Sequence, residues 1–110
     1  MNIVTSAVSN HVVVDRQARI NLIEKTIGWG NPVIEAPDKK GRDCKAVLTD
    51  TGVIIILDPY GIIVTAWIAS VKQAIAVYAR ATGNTVLPQK LWWIINYNNN
   101  SKEWQRKIAA

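Results

Sequence analysis

The chain has 110 residues, 49% of them hydrophobic, and 13 Lys/Arg against 8 Asp/Glu give it a formal net charge of +5. That is enough apolar material for one domain with a modest core, and it argues against a disordered chain. One cysteine, Cys44, excludes an internal disulfide, one histidine beside it makes a poor zinc site, and no apolar run approaches the roughly 20 residues that span a bilayer.

In chain order, the opening MNIVTSAVSN lacks the basic region and long apolar block of a signal peptide. It reads as an extended lead-in with a short strand near residues 3–5. Asp15 is placed as the N-cap of a helix over residues 16–27, with Ile20, Ile23 and Ile27 on one face and Gly28 ending it. WGNP marks a loop, residues 33–36 a first strand, and residues 37–41 a polar connection.

The stretch RDCKAVLTDTGVIIILDPYGIIVTAW then holds three β-type runs, CKAVLT, GVIIIL and GIIVTAW. Asp50, Thr51 and Gly52 supply one turn, and Asp58, Pro59, Tyr60 and Gly61 the next. Connections this short join antiparallel neighbours, because a parallel crossover needs a dozen residues or more. Residues 53–57 are continuously apolar, which predicts a central strand covered on both faces. The helix at 16–27 is available for one face and the C-terminal segment for the other.

Ser70 is a good N-cap for a helix to about Thr82, with Val71, Ala74, Ile75, Tyr78 and Ala81 on its apolar stripe and Gly83 and Asn84 stopping it. Pro88 suits the first turn of a further helix through LWWIINY. The run Asn98, Asn99, Asn100 is expected to break that helix, and Ser101 to cap a last amphipathic turn. The expected fold class is therefore α+β: an N-terminal helix packed on a four-stranded antiparallel β-meander sheet, followed by C-terminal helices. Residues 1–110 form one domain.

Charge is unevenly placed. Residues 1–69 are neutral overall, while residues 70–110 hold six Lys/Arg against Glu103 alone. A basic surplus suits anionic partners such as nucleic acid or an acidic protein, and equally suits an ordinary solvated surface.

His11 is the only side chain whose unperturbed pKa lies near neutrality, so it is the natural acid or base, although a lone histidine before a helix is more often a surface or capping residue. Arg16 and Arg19 are three apart and share a helix face. Arg42 and Lys45 open the meander; an arginine suits bidentate phosphate contact and a lysine acts as a point charge. Thr65 stands between apolar neighbours, comfortable in a strand yet able to offer a hydroxyl. Tyr60, Trp29, Trp92, Trp93 and Trp104 could stack on bases, but most tryptophans serve cores or interfaces. The adjacent Trp92 and Trp93 point in two helical directions, so one ring could mark an interface, including one between copies of the chain.

These pieces resemble a known layout. A Ser9-x-His11 entry, an arginine-bearing helix, the strand PVIEAPD, Arg42 opening the next strand, and DPYGIIVTA at the end resemble the BECR superfamily. That is the barnase, EndoU, colicin and RelE group of small metal-independent ribonucleases, common as toxin domains in contact-dependent inhibition systems, toxin–antitoxin pairs and phages. The resemblance covers about residues 9–69, and the basic helical segment 70–110 would be an extension that widens the RNA-binding surface.

The resemblance implies that His11 is the general acid or base, that Arg19 or Arg16 together with Arg42 holds the phosphate, and that Thr65 completes the site. Lys45 and Tyr60 are further substrate-binding candidates. The usual His-to-Arg spacing of four is occupied here by Asp15, so which helix arginine enters the site stays open. The implied function is an endoribonuclease toxin acting in the bacterial cytoplasm, produced there or delivered from another cell within a larger secreted toxin. It would cleave RNA, tRNA above all, through its own 2′-hydroxyl, leaving a 2′,3′-cyclic phosphate. No metal or cofactor is needed for that chemistry. An acidic immunity or antitoxin protein would hold it in check. The alternative is a non-catalytic phage or accessory binding protein that keeps the fold.

Overall fold

The computed structural model describes residues 10–38 and 43–100, with the side chains of the first helix described from residue 17 onward. The elements follow as α1 (Asn10–Thr26), β1 (Pro32–Pro37), β2 (Lys45–Thr49), β3 (Val53–Leu57), β4 (Ile63–Ile68), α2 (Val71–Thr82) and α3 (Gln89–Asn100). The protein is α+β, and its four strands form one antiparallel sheet in the order β1-β2-β3-β4. Among the described residues no helix is long and apolar enough to cross a membrane.

Short, well-bonded turns set this order. At the β3–β4 turn the Asp58 carboxylate accepts from the backbone N–H of Tyr60 at 2.8 Å and of Ile62 at 2.9 Å. Such an Asx arrangement closes a hairpin locally. Pro32 and Pro37 bracket β1, an edge strand, where the missing N–H leaves no ladder bond broken. Both edge strands carry a register irregularity, between Pro32 and Ile34 in β1 and opposite Ile56 and Leu57 in β4.

The central strands bury both faces, as their unbroken apolar runs predict. Ala46 and Leu48 of β2 with Ile54 and Ile56 of β3 face α2 and α3, joining Ala74, Val77, Leu91 and Ile95. Val47, Val53 and Ile55, with Ala66 of β4, face the other way onto Ile20 and Ile23 of α1. Alternate residues of one strand thus feed two separate cores. The α2 and α3 side is the larger, so the C-terminal helices cover a face that the sheet cannot leave bare.

The two helix caps of α2 follow the sequence. Ser70 and Gln73 form a reciprocal capping box, and Gly83 closes the helix with φ 77° and its N–H on the Ala79 carbonyl at 2.8 Å. Three expectations need correction. First, the described part of α1 already runs from Asn10, so Asp15 lies inside it rather than capping it, and His11 lies within the helix rather than ahead of it. Second, the buried line of α2 runs through Ala74 and Val77 while Ala81 is exposed.

Third, the asparagine run continues α3 instead of breaking it. Weak helix propensity is overridden here because two of the three amides find tertiary partners. Asn98 donates to the Thr51 carbonyl at 2.9 Å, and Asn99 to the Ala69 carbonyl at 2.8 Å. The strand expected at residues 3–5 and the turn expected at Ser101 lie outside the described residues.

Candidate functional site

The sequence-derived candidates divide between the two faces of the sheet. Thr65 pairs with Ile56 across β3 and β4, and directly opposed residues of an antiparallel pair point to the same side. Ile56 belongs to the core under α2 and α3, so Thr65 stands on that face, half-buried. Arg19, also half-buried, is on α1, which covers the opposite face and packs chiefly against β4. Lys45 pairs with Leu57 and Pro37 and so shares the α1 side with Val47, exposed at the head of β2.

Tyr60 sits at the tip of the β3–β4 turn with 87% of its surface exposed. The side chains of His11 and Arg16, and all of Arg42, lie outside the described residues. What the structure does fix is where Arg42's connection begins and ends. The Asp38 N–H bonds to the Cys44 carbonyl at 2.8 Å, closing the loop, and Asp43 takes a left-handed φ of 60° at its exit. Aspartate tolerates that region better than most residues.

The α1 helix and β4 are thus neighbours at one edge of the four-stranded sheet. This edge brings the helix with His11, Arg16 and Arg19 beside the strand with Thr65, while the Thr65 hydroxyl and the helix lie on opposite sides of β4. A ligand that touches both must run along the edge. Among the described residues, no strand pairs with the outer side of β4.

The sequence did not single out a second feature on the Thr65 side. A cleft of about 320 Å³ opens between the sheet and α2, with a floor of Ala46, Ile54 and Ile56 and a rim of Asp38, Gln73 and Arg80. Its size and apolar floor fall at the lower end of small-molecule sites. Arg80 could have been found from helix spacing, since it lies three residues after the buried Val77. Asp38 could not, because its position depends on how the following connection returns to β2.

One wall of the cleft is held firmly. Gln73 accepts from the Trp67 indole N–H at 3.1 Å and from the Ser70 backbone N–H at 3.0 Å with the same oxygen. That shared acceptor ties the start of α2 to β4 and fixes the Trp67 ring beside the floor. Among the described residues no group of three or more His, Cys, Asp or Glu side chains could hold a metal ion. No family model matches the chain, and comparison with curated proteins and with solved structures finds no significant match.

Proposed function

We propose that this protein is a metal-independent endoribonuclease whose substrate strand lies along the β4 edge of the sheet. In this reading α1 is the N-terminal helix of a ribonuclease-like domain, packed on the meander, and α2 and α3 are its C-terminal complement. The observation that carries it is the packing of α1 against β4, which makes neighbours of the helix bearing His11, Arg16 and Arg19 and the strand bearing Thr65. RNA brings its own nucleophile, so a base, an acid and donors for the phosphorane oxygens suffice.

His11 acts as the acid–base group in this scheme. Arg19 or Arg16 meets the phosphate from the α1 side, Arg42 from its connection, and the Thr65 hydroxyl donates from the far side of the strand. Lys45 and the exposed Tyr60 extend the contact at the same end of the sheet. The products are a 2′,3′-cyclic phosphate and a 5′-hydroxyl, tRNA is the leading substrate, and an acidic inhibitor protein covers the edge in the producing cell. Incubation with total tRNA in chelating buffer tests it. Discrete fragments ending in cyclic phosphate are expected, and intact tRNA overturns the reading.

A second reading is favoured by the opposite facing of Thr65 and α1. A protein that binds through the same edge without cutting would need no convergence of hydroxyl, imidazole and guanidinium. It predicts unimpaired growth when the chain is expressed alone, whereas the nuclease predicts arrest.

A further inference from the structure

The cleft between the sheet and α2 is ordered along its length. Gln73 and Arg80 both line it and stand seven residues apart on one helix, roughly 10 Å along the axis. Gln73 marks the end near β4, because its side chain holds the Trp67 indole N–H at 3.1 Å. Asp38 follows β1, at the opposite edge of the sheet from β4, and shares the rim with Arg80. Between these ends the lining is apolar, with Ala46, Ile54 and Ile56 on the sheet and Ala76 and Val77 on the helix.

The two ends call for different chemistry. The Trp67 N–H is already bonded, so its half-buried ring meets an occupant as an apolar wall. At the other end a half-buried carboxylate and an exposed guanidinium share one rim, yet among the described residues no ion pair joins the two. A head group with a single charge would satisfy one of them and oppose the other. A head that carries both an ammonium and a carboxylate answers both through charge-assisted hydrogen bonds.

We propose that this cleft is a binding site for a free α-amino acid with an aromatic or large aliphatic side chain. The ligand carboxylate meets Arg80, its ammonium meets Asp38, and its side chain lies over Ala46, Ile54 and Ile56 toward Trp67. A peptide fits less well, since each peptide bond removes one charge from the residue it joins. A mononucleotide also fits less well, because its phosphate is a net anion and brings no cation to Asp38. The cleft volume of about 320 Å³ suits one small molecule with an apolar body. The inference does not depend on the ribonuclease reading.

Titration of the full chain with L-phenylalanine, followed by NMR on the amide and indole N–H signals, tests it. Saturable shifts at Trp67, Gln73 and Arg80 are expected, with a dissociation constant of about 1 mM, ordinary for a ligand this small. Phenethylamine and phenylpropionate each lack one charge and should bind at least ~3-fold more weakly, as should phenylalanine to Arg80→Gln and to Asp38→Asn. In Arg80→Gln the gap between phenylalanine and phenethylamine should close, because the ligand carboxylate has lost its partner. Ala76→Leu fills the cleft from an exposed helix position, so binding should vanish while the melting temperature holds. No saturation with phenylalanine by ~10 mM overturns the proposal. So does a single-charge analogue that binds as tightly, an Ala76→Leu protein that still binds, or a cleft that takes uridine monophosphate and not phenylalanine.

Discussion

Asn98 donates its side-chain amide to the Thr51 carbonyl at 2.9 Å, joining residues 47 apart in sequence. The bond lands on the β2–β3 turn, and the same turn receives most of the other long-range polar ties. The Thr51 hydroxyl donates to the Gly28 carbonyl at 3.1 Å, the Asp50 carboxylate accepts from Asn31 N–H at 2.9 Å, and Ala69 N–H bonds to the Gly52 carbonyl at 2.9 Å. One three-residue turn therefore fastens the end of α1, the start of β1, the exit of β4 and, through Asn98, α3. The candidate edge depends on it, because α1 is held to the sheet at this end.

Replacing Asn98 should accordingly cost more than the loss of a weak helix former suggests. Asn98→Ala leaves the Thr51 carbonyl without its buried donor, at about 1–3 kcal/mol, which denaturant unfolding would register as a lower midpoint at constant slope. Asn98→Asp sets two acceptors against each other. Its charged form is disfavoured in the fold, so the folded pKa rises above the unfolded value of about 3.9. Stability of that variant should then be near the Asn98→Ala level or better in acid and fall as pH rises through the folded pKa. A pH-independent melting temperature for Asn98→Asp would contradict the bond.

Gly30 should tolerate no side chain. Its φ is +68°, and a Cβ there would stand 2.2 Å from the Asp50 carboxylate oxygen and 2.8 Å from the Thr51 methyl. Gly30→Ala must both strain the backbone and push the turn away, so a loss of about 3 kcal/mol or more is expected. Gly61 provides the control. It has a similar φ of +81° with nothing within 4 Å of its Cβ position, and Gly61→Ala should cost about 1 kcal/mol. Equal losses at the two sites would mean that the contact with Asp50 carries no weight.

Gln73 separates its two halves in a useful way. Its carbonyl oxygen accepts from both Trp67 and Ser70. Gln73→Ala removes both bonds and should cost about 1–2 kcal/mol, with a change in Trp67 fluorescence. Gln73→Glu keeps the acceptors and adds negative charge in the first turn of α2. The two donors and the helix end hold the new carboxylate's pKa below its unfolded value of about 4.3. Its stability should therefore match or exceed wild type above that value and be lost as pH falls through the folded pKa. A Glu variant as unstable as the Ala variant at pH 7 would show that the amide hydrogens matter instead.

The sheet was legible because short turns leave little choice: Asp50-Thr51-Gly52 and Asp58 to Gly61 force antiparallel neighbours, and the unbroken VIIIL run demands cover on both faces. Ser70 and Gly83 marked α2 because capping is a local affair between residues three or four apart. Asn98 and Asn99 misled because their partners, Thr51 and Ala69, are remote in sequence, and a local propensity scale sees only the weak helix former. The facing of Thr65 was hidden for a related reason. Alternation says that Thr65 and Ala66 point apart, but which of them meets α1 is decided by the pairing with Ile55 and Ile56. The cleft rim of Asp38 and Arg80 joins a loop to a helix 42 residues later, and no spacing rule reaches that far.

The β4-edge proposal is tested most cleanly at Thr65, where shape and chemistry can be separated. Thr65→Val keeps the β-branched shape and strand propensity of a half-buried residue, so the melting temperature should hold to within a few degrees. If the hydroxyl donates to the phosphorane, tRNA cleavage should nonetheless fall by roughly 10²–10³-fold, the usual loss for one transition-state donor. His11→Ala should cost about 10²–10⁴-fold as the acid–base group. Arg19→Ala and Arg16→Ala, measured separately, identify the helix arginine that meets the scissile phosphate: that variant should lose the more activity. Lys45→Ala, on the α1 side of the sheet, should raise KM more than it lowers kcat if it binds the strand away from the cut. A Thr65→Val protein that cuts at the wild-type rate while His11→Ala is dead would confine the chemistry to the α1 face and remove β4's far side from the site.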